Sequence, residues 1–154
     1  MAIQTGEQAP EFDLEEAFDT PRLRLQDFRG KRNVLLVFHP FAFTPVCAEE
    51  AMDLQANLAS FDNAETEVIF VSCDTSAARQ AWKRELGATF AFASDFWQHG
   101  AVSRAYGVFN EATGAPRRGT FLIDKDGVVI WSLVKDERRT EMVPESLDAL
   151  AEQP

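Results

Sequence analysis

Cysteine is scarce in this chain of 154 residues: there are two, Cys47 and Cys73. So few thiols exclude a disulfide scaffold and a zinc centre built on thiolates. The two histidines, His39 and His99, lack paired metal-ligand spacing, so no structural metal is expected. Basic charge is also in deficit, with 15 Lys and Arg against 25 Asp and Glu and a formal charge of -10. Phosphate binding needs a net basic face, which argues against nucleic acid as a partner. Apolar runs stop at about six or seven residues, too short to span a bilayer, and no membrane partner is expected. The opening Met1-Ala2-Ile3-Gln4-Thr5-Gly6-Glu7 has neither the basic nor the apolar part of a signal peptide. A cytoplasmic location is the expectation.

Apolar and aromatic residues are plentiful: 45% of the chain is hydrophobic and 13 residues are Phe, enough for a core without cross-links. No repeat, low-complexity stretch or linker interrupts it, so residues 1–154 read as one domain. Glu11 to Leu14 and Arg22 to Leu25 read as short strands, followed by a turn over Asp27 to Lys31. Asn33 to Phe38 and Glu67 to Cys73 are continuous apolar runs of strand length, suited to strands buried on both faces. Apolar residues three or four apart predict a helix over Pro45 to Phe61. A second helix spans Ser76 to Leu86 and stops at Gly87. Phe90 to Ala93 reads as a short strand and Gly100 to Tyr106 as a short helix. Gly119 to Asp124 and Val128 to Leu133 flank an Asp126-Gly127 hairpin turn, and Glu141 to Glu152 is a closing helix. This order predicts an α/β fold with a central mixed β-sheet flanked by helices and strands in an N-terminal extension. It matches a thioredoxin-like core.

The chemistry is concentrated in His39-Pro40-Phe41-Ala42-Phe43-Thr44-Pro45-Val46-Cys47-Ala48-Glu49-Glu50, between a buried strand and a helix start. Thr44 suits the N-cap, and Pro45 suits the first helical position, where a missing N–H costs nothing. Cys47 then occupies the third helical position, among unpaired N–H groups at the positive end of the helix dipole. Such a place favours a thiolate and makes the cysteine a nucleophile. Inert packing as a small hydrophobe is the competing reading of Cys47.

Pro40-x-x-x-Thr44-x-x-Cys47 resembles the P-x-x-x-T/S-x-x-C signature of the peroxiredoxins. The resemblance runs from Gly6-x-x-Ala9-Pro10-x-Phe12-x-Leu14 to Gly119-Thr120-Phe121-Leu122-Ile123-Asp124. Ala42-Phe43-Thr44, Ser94-Asp95-Phe96-Trp97-x-His99-Gly100-Ala101-Val102-Ser103 and Ala105-Tyr106-Gly107-Val108-Phe109-Asn110-Glu111 are similar to the one-cysteine alkyl hydroperoxide reductase E subgroup. The resemblance implies a thiol peroxidase that reduces hydrogen peroxide and organic hydroperoxides through a Cys47 sulfenic acid. Cys47 would be the peroxidatic thiol, Thr44 would offer its hydroxyl, and Pro40 would shield the sulfur. Arg118 would stabilise charge on sulfur and oxygen, with Arg117 as the neighbour that could be mistaken for it. No metal or bound cofactor is needed, and a homodimer is implied.

Two readings stand for Glu50: a carboxylate that positions the arginine, or an acid that favours the helix dipole. Two stand for His39: a satisfied side chain at a strand end, or a proton donor to the leaving oxygen. Relatives often carry an aromatic there. Trp97 and Tyr106 read as core or interface aromatics. Cys73, at the end of a buried strand, reads as packing rather than as a resolving thiol. An external reductant is therefore expected, either a low-molecular-weight thiol with a glutaredoxin-like protein or a thioredoxin. A thioredoxin-like disulfide oxidoreductase would need a second thiol where Glu50 stands. A redox sensor or holdase using Cys47 would share the first oxidation step but not turn over.

Overall fold

The computed structural model describes residues 1–153. Two short strands, β1 (Asp13–Leu14) and β2 (Leu23–Arg24), pair antiparallel ahead of a 3-10 turn over Leu25–Phe28. The chain continues through β3 (Asn33–Phe38), α1 (Pro45–Ala56), α2 (Leu58–Asn63), β4 (Thr66–Ser72), α3 (Ser76–Leu86), β5 (Ala91–Ser94) and α4 (Ala101–Ala105). A hairpin of β6 (Phe109–Asn110) and β7 (Ala115–Pro116) precedes β8 (Arg118–Ile123), β9 (Val129–Lys135) and α5 (Met142–Ala151). Five strands form the central sheet in the order β5-β4-β3-β8-β9. β3, β4 and β5 run parallel, whereas β8 and β9 are antiparallel to their neighbours. This is the α/β mixed sheet expected, with the N-terminal strands lying outside it.

Alternation along the central strands sends successive side chains to opposite faces of the sheet. Val34, Leu36 and Phe38 of β3 and Ile69 and Val71 of β4 join Phe12, Leu14, Tyr106 and Val108 in one apolar layer. Leu35, Val37, Val68 and Phe70 point the other way, into a layer with Cys47, Ala51, Leu54, Phe61, Trp82 and Met142. Every residue of β3 is buried, which explains why the run from Val34 to Phe38 is apolar instead of alternating. Tyr106 belongs to the core and donates its hydroxyl to the Pro10 carbonyl at 2.6 Å, while Trp97 is exposed.

Three elements differ from the sequence reading. The helix expected over Pro45 to Phe61 breaks at Asn57, which leaves helical geometry (φ -112°, ψ 12°) and donates its side-chain amide to the Asp53 carbonyl at 2.9 Å. A short polar side chain competing for backbone groups accounts for the break. Cys73 lies just past β4, not within it. The β6–β7 hairpin leaves no mark in the sequence, its two-residue strands being too short to set a pattern. Gly87 ends α3 in the left-handed region (φ 69°), the stop its position predicts.

The loops after parallel β3 and β4 emerge side by side at one edge of the sheet. His39 donates its amide to the Val71 carbonyl at 2.9 Å, and Ala42 donates its amide to Asp74 Oδ2 at 2.8 Å. That edge, beyond the carboxyl ends of parallel strands, is where α/β sheets place their sites.

Candidate active site

Cys47 sits in the first turn of α1, with Thr44 at the N-cap (φ -116°, ψ 147°) and Pro45 first in the helix. The first backbone bond of the helix runs from the Ala48 amide to the Thr44 carbonyl at 2.9 Å. The amides of Val46 and Cys47 precede it and have no partner within the helix. Thr44 caps with its backbone only, which corrects the side-chain cap expected. Its Oγ1 donates instead to the Phe41 carbonyl at 2.8 Å and closes the turn before the helix. A hydroxyl that donates in this way keeps its lone pairs for another donor.

The Cys47 thiol is free and fully buried, with apolar neighbours on the sheet side. On its polar side lies Arg118, whose Nη2 approaches Sγ at 3.6 Å. Arg118 heads β8 and therefore reaches across from the central sheet. Its Nη1 donates to the Asp136 carbonyl at 3.0 Å, and its Nε lies 3.4 Å from Glu50 Oε1. That last contact is an ion pair without hydrogen-bond geometry. Arg117, the other candidate, faces Asp136 Oδ1 at 3.2 Å and is 40% exposed. Of the two neighbours, Arg118 is the one that lies against the Cys47 sulfur.

Glu50 lies one helical turn after Cys47 and has no exposure to water. Arg139 satisfies it with three bonds: backbone N to Oε2 at 2.8 Å, Nε to Oε2 at 2.8 Å and Nη2 to Oε1 at 2.9 Å. Arg139 Nη1 turns to the Gly119 carbonyl at 3.1 Å and Thr120 Oγ1 at 2.9 Å. Burial alone pushes the Glu50 carboxyl up, but hydrogen bonds and charge from Arg139, with the charge of Arg118, outweigh it. The carboxyl is held below its ordinary value. Of the two readings, the structure gives Glu50 the contacts of an arginine-positioning carboxylate.

Sequence reasoning missed Arg139. It follows Asp136-Glu137-Arg138, a run that reads as a solvated loop, and only the tertiary fold turns it inward. Arg79 was missed as well, although a signal existed. Arg79, Trp82 and Leu86 share one face of α3 by spacing, and that face is buried at Arg79 and Trp82.

The segment between β3 and α1 is tied down from below. Asp74 Oδ2 accepts from the Ala42 amide and from Ser72 Oγ at 2.5 Å. His39 is fully buried and its Nε2 lies 2.6 Å from Arg79 Nη1. Pro40 follows it, half-buried, and Phe43 adopts the left-handed region (φ 62°), a conformation that costs a non-glycine residue roughly 1–2 kcal/mol. Cys73 is half-buried. Burial, then the negative charges of Asp95 and Asp74, push its thiol up to about 12.

Known proteins are similar to this chain in sequence and in fold. Residues 5–132 match the profile of the AhpC/TSA family. Alkyl hydroperoxide reductase E of Mycobacterium tuberculosis is 40% identical over 133 residues, covering 86% of each chain. Among solved structures, Plasmodium yoelii thioredoxin peroxidase I superposes with a TM-score of 0.83 at 32% identity, covering 96% of this chain and 89% of that one. Peroxidoxin BcpB from Mycobacterium tuberculosis gives a TM-score of 0.89 at 24% identity over 99% of both chains, a likeness of fold.

Glu50→Gln tests the buried pair. The folded carboxyl lies below its ordinary value of 4.5, so its stabilisation is present above that pH and lost as pH falls through the folded value. The variant should be less stable at neutral pH by about 3 kcal/mol in denaturant titration, the scale of breaking a buried pair. Its stability should also fall less steeply than wild type below about pH 4.5. Equal acid slopes for the two proteins would show that the carboxyl is not linked to folding.

Proposed function

The chain belongs to the AhpC/TSA family of thiol-dependent peroxidases, and from that premise we propose a one-cysteine cycle on Cys47 completed by an outside thiol. One observation carries the reading: the Arg118 guanidinium faces the buried Cys47 sulfur at 3.6 Å and is itself fixed by Asp136 and Glu50. Cys47 reacts as a thiolate. Its sulfur gives an electron pair to one oxygen of the hydroperoxide, and the S–O bond forms as the O–O bond breaks. The attacked terminal oxygen keeps its hydrogen and becomes the sulfenic acid on Cys47, while the leaving oxygen takes a proton from solvent and departs as water or alcohol.

Negative charge moves from sulfur to the leaving oxygen, so fixed donors are most effective along that line. Arg118 Nη2 and the unpartnered first-turn amides supply them. Thr44 Oγ1, with its proton on the Phe41 carbonyl, accepts from the O–H of the hydroperoxide and orients it. Pro40 keeps water from the sulfur. The His39 ring nitrogen Nε2 is taken up by Arg79, so its role in this reading is support beneath the loop, not proton delivery. Exposed Phe41 and Phe43 border the site and offer apolar surface to an alkyl hydroperoxide.

Reduction comes from outside. A thiol attacks the sulfenic sulfur, expels water and forms a mixed disulfide, and a second thiol releases Cys47. Cys73 is a poor resolver because a thiol raised to about 12 carries almost no thiolate at neutral pH. Candidates are a low-molecular-weight thiol working with a glutaredoxin-like protein, or a thioredoxin, in the reducing cytoplasm. A homodimer belongs to the same reading, with exposed Phe96 and Trp97 as apolar surface for a second copy.

Stopped-flow oxidation with mass spectrometry of the product tests the scheme. Wild type should gain one oxygen on Cys47 without an internal disulfide, and Cys47→Ser should lose peroxidase activity while keeping its fold. Substantial residual turnover in that variant would remove Cys47 from the chemistry. Arg118→Ala should slow oxidation by about tenfold or more, the scale of losing one transition-state donor. An unchanged rate would assign the charge stabilisation elsewhere. Cys73→Ser should leave turnover with small thiols intact, whereas a Cys47–Cys73 bridge in oxidised wild type would make the enzyme a two-cysteine one.

A further inference from the structure

Beneath the catalytic loop lies a cation bonded to no carboxylate. Arg79 projects from α3 and is fully buried. Its Nε donates to the Ala93 carbonyl at 3.0 Å, its Nη2 to the Phe70 carbonyl at 2.7 Å and its Nη1 to His39 Nε2 at 2.6 Å. The guanidinium packs against the rings of Phe70, Trp82 and Phe92 at 5.5, 5.8 and 5.1 Å from their centroids. Buried charges are ordinarily paired with an opposite charge. Here the nearby carboxylate, Asp74, spends its hydrogen bonds on Ala42 and Ser72. Among the described residues, the one side chain hydrogen-bonded to Arg79 is His39.

A guanidinium only donates, so His39 Nε2 carries the lone pair and the ring proton is on Nδ1. The ring is shut away from water and stacked on Phe70 at 3.9 Å between centroids. A second proton would set N–H against N–H at 2.6 Å and place two cations together in apolar surroundings. The charges of Arg139, from the loop after β9, and of Arg118, from β8, add to the repulsion. Asp74 is the carboxylate near Arg79 that opposes it. His39 is joined directly to Pro40, the first residue of the catalytic loop.

We propose that Arg79 is a positioning residue for the catalytic loop: it clasps neutral His39, holds Pro40–Thr44 over Cys47, and releases them when His39 takes a proton. Burial, and then the charges of Arg79, Arg139 and Arg118, hold His39 well below its ordinary value of 6.5 while the loop is closed. In the open loop the ring regains that value. Proton uptake therefore favours the open form, by about tenfold for each pH unit below roughly 6.5, and the effect vanishes above it. Since Cys47 is fully buried, a thiol reductant gains the sulfur only with the loop displaced. The closed form thus meets the peroxide and the open form meets the reductant, a consequence that rests on the peroxidase reading above. The clasp itself does not.

Amide hydrogen exchange of the reduced protein, followed by NMR between about pH 5 and 8, tests it without any turnover. The opening constant at His39 and Ala42, corrected for the chemical exchange rate, should rise about tenfold per unit below roughly pH 6.5. Leu36 in β3 should not follow. The His39→Gln variant keeps an acceptor for Arg79 but has no ring to titrate, and its profile should be flat. A flat wild-type profile, or the same slope in His39→Gln, would overturn the clasp. Ring nitrogen shifts of the wild type decide the matter if the variant does not fold. An Nδ1–H tautomer that does not titrate in the closed form is expected, and a His39 that protonates with the loop still closed would refute it. Failure of Cys47 to react with peroxide would sink the peroxidase reading and leave these exchange results untouched.

Discussion

Glu50 has no water to solvate it, so its charge must be met by protein groups, and the active edge of the molecule is built around that requirement. Arg139 answers with three hydrogen bonds and spends its remaining nitrogen on Gly119 and Thr120 of β8. One ion pair thereby joins α1, which carries Cys47, to the strand that carries Arg118. Arg118 is drawn in by the same carboxylate and by the Asp136 carbonyl. The 3.6 Å separation of guanidinium and sulfur is thus set by groups that never touch the reacting atoms.

A second buried cation works from the opposite side. Arg79 reaches up from α3 to His39, and Asp74 at the foot of the same helix holds the Ala42 amide. Both anchor the segment between β3 and α1, while Glu50 and Arg139 anchor the helix that follows it. The segment itself carries local strain at Phe43 and exposes two phenyl rings. Anchors below and strain above describe a loop held in place by a few contacts, not by extensive packing.

The two thiols show how environment, not residue type, decides reactivity. Cys47 faces a guanidinium and the amide end of a helix. Cys73, one residue past β4, sits among Asp95 and Asp74, and burial together with those charges keeps its proton on. The same side chain is set against a cation in one place and near carboxylates in the other.

Apolar runs sufficed to locate β3 and β4, because the middle of a strand buried on both faces is apolar at successive positions. Thr44-Pro45 located the helix start and put Cys47 in its first turn, since capping is a short-range matter of a few backbone groups. The break at Asn57 and the Thr44 hydroxyl's turn toward Phe41 escaped the sequence because each is a competition between partners of similar strength. Arg139 and Arg79 escaped because a charged side chain in a polar run, or on a helix, carries no local mark of burial. What the sequence determined alone was the place of Cys47 in the first turn of its helix and the strands beneath, all governed by neighbours within a few residues. Arg118, which faces the Cys47 sulfur, comes from β8, Arg139 on Glu50 from the loop after β9 and Arg79 on His39 from α3. Only the tertiary structure could decide them, because the partner that makes a buried charge tolerable lies far away along the chain.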